Sequence, residues 1–396
     1  MVRRTITYLG CKVVHHSWSK RLAGTVVSTM MAGAMAAACG RPGPSAGAIW
    51  PALSDTAFAT LVAEFSEPER YFDTDNLISN EATYLGIVEA LELHGVSGGA
   101  YIGVGPDQNF SYIASIRPQV AFIVDIRRDN LLQQLWFKAL FQEASSRVEF
   151  LALMYGKPAP HHQESLREAS IGELTAYVDT VPANSGNAAD AIDRVRTVLD
   201  TGAVALSAAD LATIRQIHER FIIAGLDLRF ETHGRFPRAC YPTHRYLLTN
   251  GGSSQPDSYL ATDEAYQAVR RLQMQNLVIP VVGDLSGSHA LSSIGGYLAE
   301  RQTELSALYA SNVEFYLFED GVFDGFVRNV ATIPHDSSSV VIRSIFPRGG
   351  SPLGKLAPGS CSWQSVQRIS SLMSWAGGDY NRSYFGLIRF EPLAVE

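Results

Sequence analysis

The chain is short of cysteine and of positive charge, and each shortage removes a class of function. Its 4 cysteines include no Cys-x-x-Cys, so a thiol redox centre or a zinc ribbon lacks ligands. Lys and Arg number 32 against 39 Asp and Glu, a formal charge of −7. No basic field gathers nucleic acid, and a small molecule is the expected partner. No segment recurs at a fixed period, which sets repeat solenoids aside.

Metal and hydrolase motifs are also incomplete. His218-Glu219 is followed by Ile222 where a zinc protease has its second histidine. His161-His162 are adjacent in a Pro-rich loop, where side chains diverge, and no metal is expected. In Gly283-Asp284-Leu285-Ser286-Gly287 the serine falls one place too late for a nucleophile elbow.

What remains is a chain of 396 residues with 46% hydrophobic and 18% charged residues, enough to bury a large core. Lys20 and Arg21 precede an uncharged stretch, Leu22 to Ala38, that ends in small residues before Cys39. That pattern reads as a signal peptide over residues 1–39 with lipid carried on Cys39, a tether over 40–50, and one folded unit over 51–396. An exported, membrane-anchored lipoprotein is the expectation, and a cytoplasmic protein if the leader is misread. Cys240 and Cys361 then remain, either paired or free.

The folded part alternates apolar strands with helices. Strands are expected at 100–104, 120–124, 277–282, 305–310, 339–345 and 384–390. Helices are expected at 54–64, 80–94, 109–116, 130–155, 263–275, 290–302, 313–330 and 362–375. Residues 156–270 read mainly as a helical insertion. This order calls for an α/β fold, a doubly wound, mostly parallel Rossmann-like sheet with ligands at the carboxyl ends of its strands.

Polar residues mark those ends. Gly103 and Gly105 let backbone amides approach a ligand, and Asp107 stands at the third position of the glycine spacing. Asp125 lies 20 residues beyond Gly105, where a carboxylate accepts ribose hydroxyls. Asp284, with Leu285 beside it, is placed to receive an adenine amino group. Asn76, Asn80 and Tyr84 read as a lid or substrate contacts, and Arg127 and Arg128 as clamps for an anionic group. Glu81 and Glu314 are the candidate general bases, alongside ordinary helix-terminal roles.

Five strands with an acidic end to the second and a Gly-Asp end to the third resemble class I S-adenosylmethionine-dependent methyltransferases over residues 80–346. The phrases Asp75-Asn76-Leu77-Ile78-Ser79-Asn80-Glu81, Gly103-Val104-Gly105-Pro106-Asp107-Gln108-Asn109-Phe110, Phe122-Ile123-Val124-Asp125-Ile126-Arg127-Arg128, Val282-Gly283-Asp284 and Ser311-Asn312-Val313-Glu314 also resemble a largely uncharacterised family of bacterial proteins. The methyltransferase resemblance implies Gly103 and Gly105 under the amino-acid end of S-adenosylmethionine, Asp125 at the ribose, Asp284 at the adenine, and Ser311-Asn312 beside the sulfonium. Asn312 or Glu314 would then orient the acceptor. Tyr101 stands where those enzymes commonly carry an acid, and Asp107 replaces a glycine. Two functions follow: methyl transfer to a small acceptor, or an exported binding or scaffold lipoprotein that keeps the fold.

Overall fold

A computed structural model describes residues 50–395 apart from 161–165, 183, 235–237, 251–257, 348–355, 357–358 and 381. The leader, Cys39 and His161-His162 lie outside the described residues, as does the tether except for Trp50. Trp50 is already docked: its indole is buried and donates to Thr303 Oγ1 at 2.9 Å.

Six strands make one sheet: β1 (Ala100–Gly103), β2 (Val120–Asp125), β3 (Val278–Val282), β4 (Leu305–Ser311), β5 (His335–Ile345) and β6 (Trp363–Arg368). Their order is β3-β2-β1-β4-β5-β6, parallel except for β6, which runs antiparallel to β5. The fold is therefore α/β with a mostly parallel sheet. Apart from Asp125 at its end, every residue of β1, β2 and β3 is buried, so both faces are covered and the strands read as unbroken apolar runs.

The chain winds outward from β1 to β3, then returns to start β4 on the other side of β1. That reversal opens a crevice above the carboxyl ends of β1 and β4. Register lines up what borders it. Gly103 pairs with Ile123 and with Tyr309, so Gly105, Asp125 and Ser311, each two residues further on, emerge side by side. Asp125 is level with Val282, and Asp284 follows directly.

The helical region beyond residue 156 contains Ile171–Thr180, Ser185–Asp200, Ala208–Ala224 and His244–Thr249. Two of these begin with capping boxes, Ser170 with Glu173 and Ser207 with Asp210. Ser185–Asp200 and Ala208–Ala224 pack on Arg128–Glu143, the helix that follows β2.

Several expected elements are corrected. The helix expected over 362–375 begins as strand β6 and turns helical only at Ile369–Gly377. Gln364, Ser365 and Gln367 look like a solvated helix face, yet all three are buried in the sheet. Gln364 bonds Thr83 and Ser344, which satisfies its amide. The aromatic stretch expected as a strand at 384–390 is a helical turn, Tyr384–Leu387, capped by Ser383. Tyr384, Leu387 and Ile388 are buried at spacings of three and four, and that periodicity outweighs aromatic strand propensity. The long helix over 130–155 breaks at 144–146, where Ser146 caps a second helix, Arg147–Met154. Likewise 313–330 divides into Val313–Glu319 and Phe323–Thr332 around Gly321, whose φ is +69°. The helix expected over 80–94 is shorter: a 3₁₀ turn, Tyr84–Ile87, runs into Val88–Leu93.

Candidate functional site

A cavity of about 660 Å³ lies over the strand ends. Asn76, Asn80, Glu81, Gly105, Asp125, Arg127, Asp284, Leu285, Ser311 and Asn312 line it. Gly103, Tyr84, Asp107, Arg128 and Glu314 are not part of its wall, and each has a physical reason.

The loop after β1 is pinned by the Asn109 side chain, whose Nδ2 donates to the carbonyls of Val104 at 2.9 Å and Pro106 at 2.7 Å. Gly103 serves that closure: a β-carbon there would overlap the Asn109 amide and the Tyr101 ring. Gly105 holds φ at +83°, a conformation that favours glycine. Asp107 turns away from the cavity. It accepts from His244 Nε2 at 3.1 Å and Tyr259 Oη at 3.3 Å, and His244 Nδ1 meets Tyr155 Oη at 2.7 Å. A buried carboxylate requires such partners, so Asp107 ties the glycine loop to the helical region and does not line the cavity. Tyr84 is likewise buried, its hydroxyl donating to the carbonyl of Leu247.

At the end of β2, Asp125 is engaged by Arg127. Oδ1 accepts from the backbone N–H and Nε of Arg127, each at 3.0 Å, and Oδ2 from a terminal nitrogen at 2.8 Å. A carboxylate offers about four acceptor positions, so one remains on Oδ2. Arg127 also donates to the carbonyls of Thr74 and Asp75, which fastens residues 66–80 across the crevice. Arg128 points to Asp210 instead, in a two-pronged pair at 2.7 and 2.9 Å. That contact holds the Asp210 carboxyl well below the usual range.

Past β3, Asp284 pairs with Arg70 and accepts the backbone N–H of Ser286 at 2.8 Å. Glu67 sits behind it, accepting the backbone N–H groups of Asp284, His289 and Ala290. It thereby caps the helix Ala290–Glu300.

The end of β4 carries the least ordinary geometry. Ser311 has φ at +50°, an uncommon conformation for a residue with a side chain. Its hydroxyl donates to Glu81 Oε1, and Tyr309 Oη donates to Glu81 Oε2 at 2.7 Å. Gln108 Nε2 donates in turn to Tyr309 Oη at 3.2 Å. Glu81 is 1% exposed, and burial pushes its carboxyl above the usual range against the opposing hydroxyls of Ser311, Ser344 and Tyr309. Glu314, three residues beyond Ser311, faces inward to Arg343. Both are 1% exposed and form a two-pronged ion pair, so Glu314 holds the fold and does not reach the cavity.

Arg70, Phe72, Gln108, Arg238, Tyr241 and Tyr316 also line the cavity and are not evident from strand-end position. Phe72 and Tyr316 pack edge to face at 5.3 Å. The one sequence signal for the first two is the charged, aromatic stretch Glu67 to Asp75, too polar for a strand and placed just before Asn76. Near Tyr241, Cys240 is joined to Cys361 in a disulfide with Cα atoms 5.6 Å apart.

Residues 77–192 and 230–388 match the family described as Domain of unknown function (DUF7790). The chain belongs to that family. No curated protein matches it. The DUF7790 match takes in all six strands and the strand-end residues that line the cavity, whereas Arg70 and Phe72 precede it and residues 193–229 lie between its two parts.

Proposed function

We propose that this cavity binds a nucleoside-bearing cofactor of the S-adenosylmethionine type, and that the protein is methyltransferase-like and acts on a small acceptor. The supporting observation is that Gly105, Asp125, Asp284 and Ser311-Asn312, borne at four adjacent parallel strand ends, share one cavity. Its volume, about 660 Å³, falls in the range of cofactor pockets.

The residues fit such a group in part. Asp125 retains one acceptor position for a ribose hydroxyl, Gly105 presents backbone without a side chain, and Asp284 and Leu285 border the end expected for the adenine. When bound, S-adenosylmethionine supplies an electrophilic methyl group. The chain's part is orientation and proton handling: Asn312 borders the same end as Glu81, whose raised carboxyl suits it to take a proton from an acceptor.

The disulfide favours a second reading, an exported lipoprotein anchored through Cys39 that binds a ligand without catalysis, because disulfides persist in oxidising compartments. Calorimetric titration of the full chain with S-adenosylmethionine separates the two. Saturable binding that is lost in Asp125→Asn, with unfolding still cooperative, supports the cofactor. Absence of heat in the native chain rejects it and leaves the binding protein. Globomycin-sensitive processing at Cys39 tests the anchor.

A further inference from the structure

The charged side chains of the cavity are unevenly matched. Asp125 has Arg127 and Asp284 has Arg70, so the β2–β3 end is balanced. At the β1–β4 end, Glu81 is buried and receives only hydroxyls. Among the described residues no cation reaches it. Buried carboxylates are ordinarily paired with a cation or neutralised by a proton.

A second acceptor lies beside it. Tyr309 has one hydroxyl proton, committed to Glu81, so Gln108 must present its NH₂ to the Tyr309 oxygen. That orientation leaves Gln108 Oε1 as the carbonyl, buried and without a donor. Gln108 is 4% exposed and lines the cavity with Glu81. Two acceptors with no donor of full charge thus share one end of a cavity that Phe72, Phe315, Tyr316 and Tyr384 also line.

We propose that the β1–β4 end of the cavity binds an amine as its ammonium ion, with Glu81 as the counter-ion. An ammonium brings three donors and a full positive charge, which matches Glu81 and Gln108 Oε1 together, and aromatic faces attract a cation as well. The ligand is an amine with a flat or apolar body. This inference goes beyond the nucleoside reading: it shares Glu81 with the proton-handling role proposed above but uses neither Asp125 nor Asp284, so it does not depend on nucleoside binding.

The test is calorimetry on the full chain with two probes of nearly equal shape, benzylamine and benzyl alcohol. Benzylamine is expected to bind roughly ten- to hundredfold more tightly, the range for a hydrogen bond to a charged group. Glu81→Gln keeps one oxygen as acceptor for Tyr309 or Ser311 and turns an NH₂ toward the other hydroxyl oxygen, and it is expected to abolish the preference.

The native chain supplies an independent readout should that variant not fold. The titratable groups facing Glu81 are the phenols of Tyr84, Tyr101, Tyr112, Tyr309 and Tyr384, all pushed upward by burial, so the Glu81 carboxyl is the group whose protonation opposes the ammonium. Protons then compete with the ammonium, so benzylamine affinity falls as pH drops, by up to about tenfold per unit, while benzyl alcohol affinity stays level. Equal affinity for the two probes, no binding of either, or a pH-independent preference overturns the proposal. Amine preference without S-adenosylmethionine binding overturns only the nucleoside reading.

Discussion

Arg127 folds back on Asp125, two residues before it, and grips both carboxylate oxygens while also holding the carbonyls of Thr74 and Asp75. One cation thus fixes the acid at the end of β2 and the segment that crosses the crevice. Arg127→Met leaves Asp125 without its cation, holding only the backbone N–H of residue 127, and releases that segment. The expected loss is about 3 kcal/mol by urea unfolding. Arg127→Lys recovers only part, because an ammonium cannot make the planar fork. A change under about 0.5 kcal/mol, the size typical of a surface substitution, would contradict this role.

Glu314 is expected to matter for stability alone. Glu314→Gln strands the Arg343 charge in the core and destabilises by about 3–5 kcal/mol, whereas the double replacement with Arg343→Met recovers most of it. Thermal unfolding of the single and the double variant measures this. Probe binding by the folded double variant is expected to equal that of the native chain.

His218 gives the fold an acid-side weakness. Its Nε2 donates to the carbonyl of Leu153 at 2.9 Å, and its ring lies against Trp136. Burial lowers its pKa from about 6.5 to about 4. Between those values the unfolded chain binds a proton that the native state refuses, so stability falls as pH drops through that window and is level above it. The loss is about 3 kcal/mol at most. His218→Gln is expected to flatten this stretch of the stability profile, and an unchanged profile would show that another group is responsible.

The disulfide closes a span of 121 residues and anchors the segment that bears Arg238 and Tyr241. Replacing both Cys240 and Cys361 by serine is expected to lower stability by about 2–5 kcal/mol. The native chain should respond alike to reductant in thermal melts. Indifference to reductant would mean that the thiols are not paired in solution.

The parallel core was legible because buried central strands read as apolar runs, and their ends carry glycine and aspartate that no core would keep. Strand β6 was not, because Gln364, Ser365 and Gln367 are buried in it around a single buried apolar residue, Val366, a composition that reads as a solvated helix. The same ambiguity governs the site. A carboxylate near a strand end looks alike whether it faces a ligand or a distant side chain, and Asp107 finds His244 at a separation of 137 residues. Phe72, Tyr241 and Tyr316 come from three different segments and meet only in the folded chain.

A crystal structure of the full chain grown with S-adenosylhomocysteine tests the nucleoside site most directly. The expected result is a nucleoside spanning Gly105, Asp125 and Asp284, with one ribose hydroxyl about 2.7 Å from Asp125 Oδ2. A saturating ligand that leaves this crevice empty, or that lies there without touching Asp125, would contradict it.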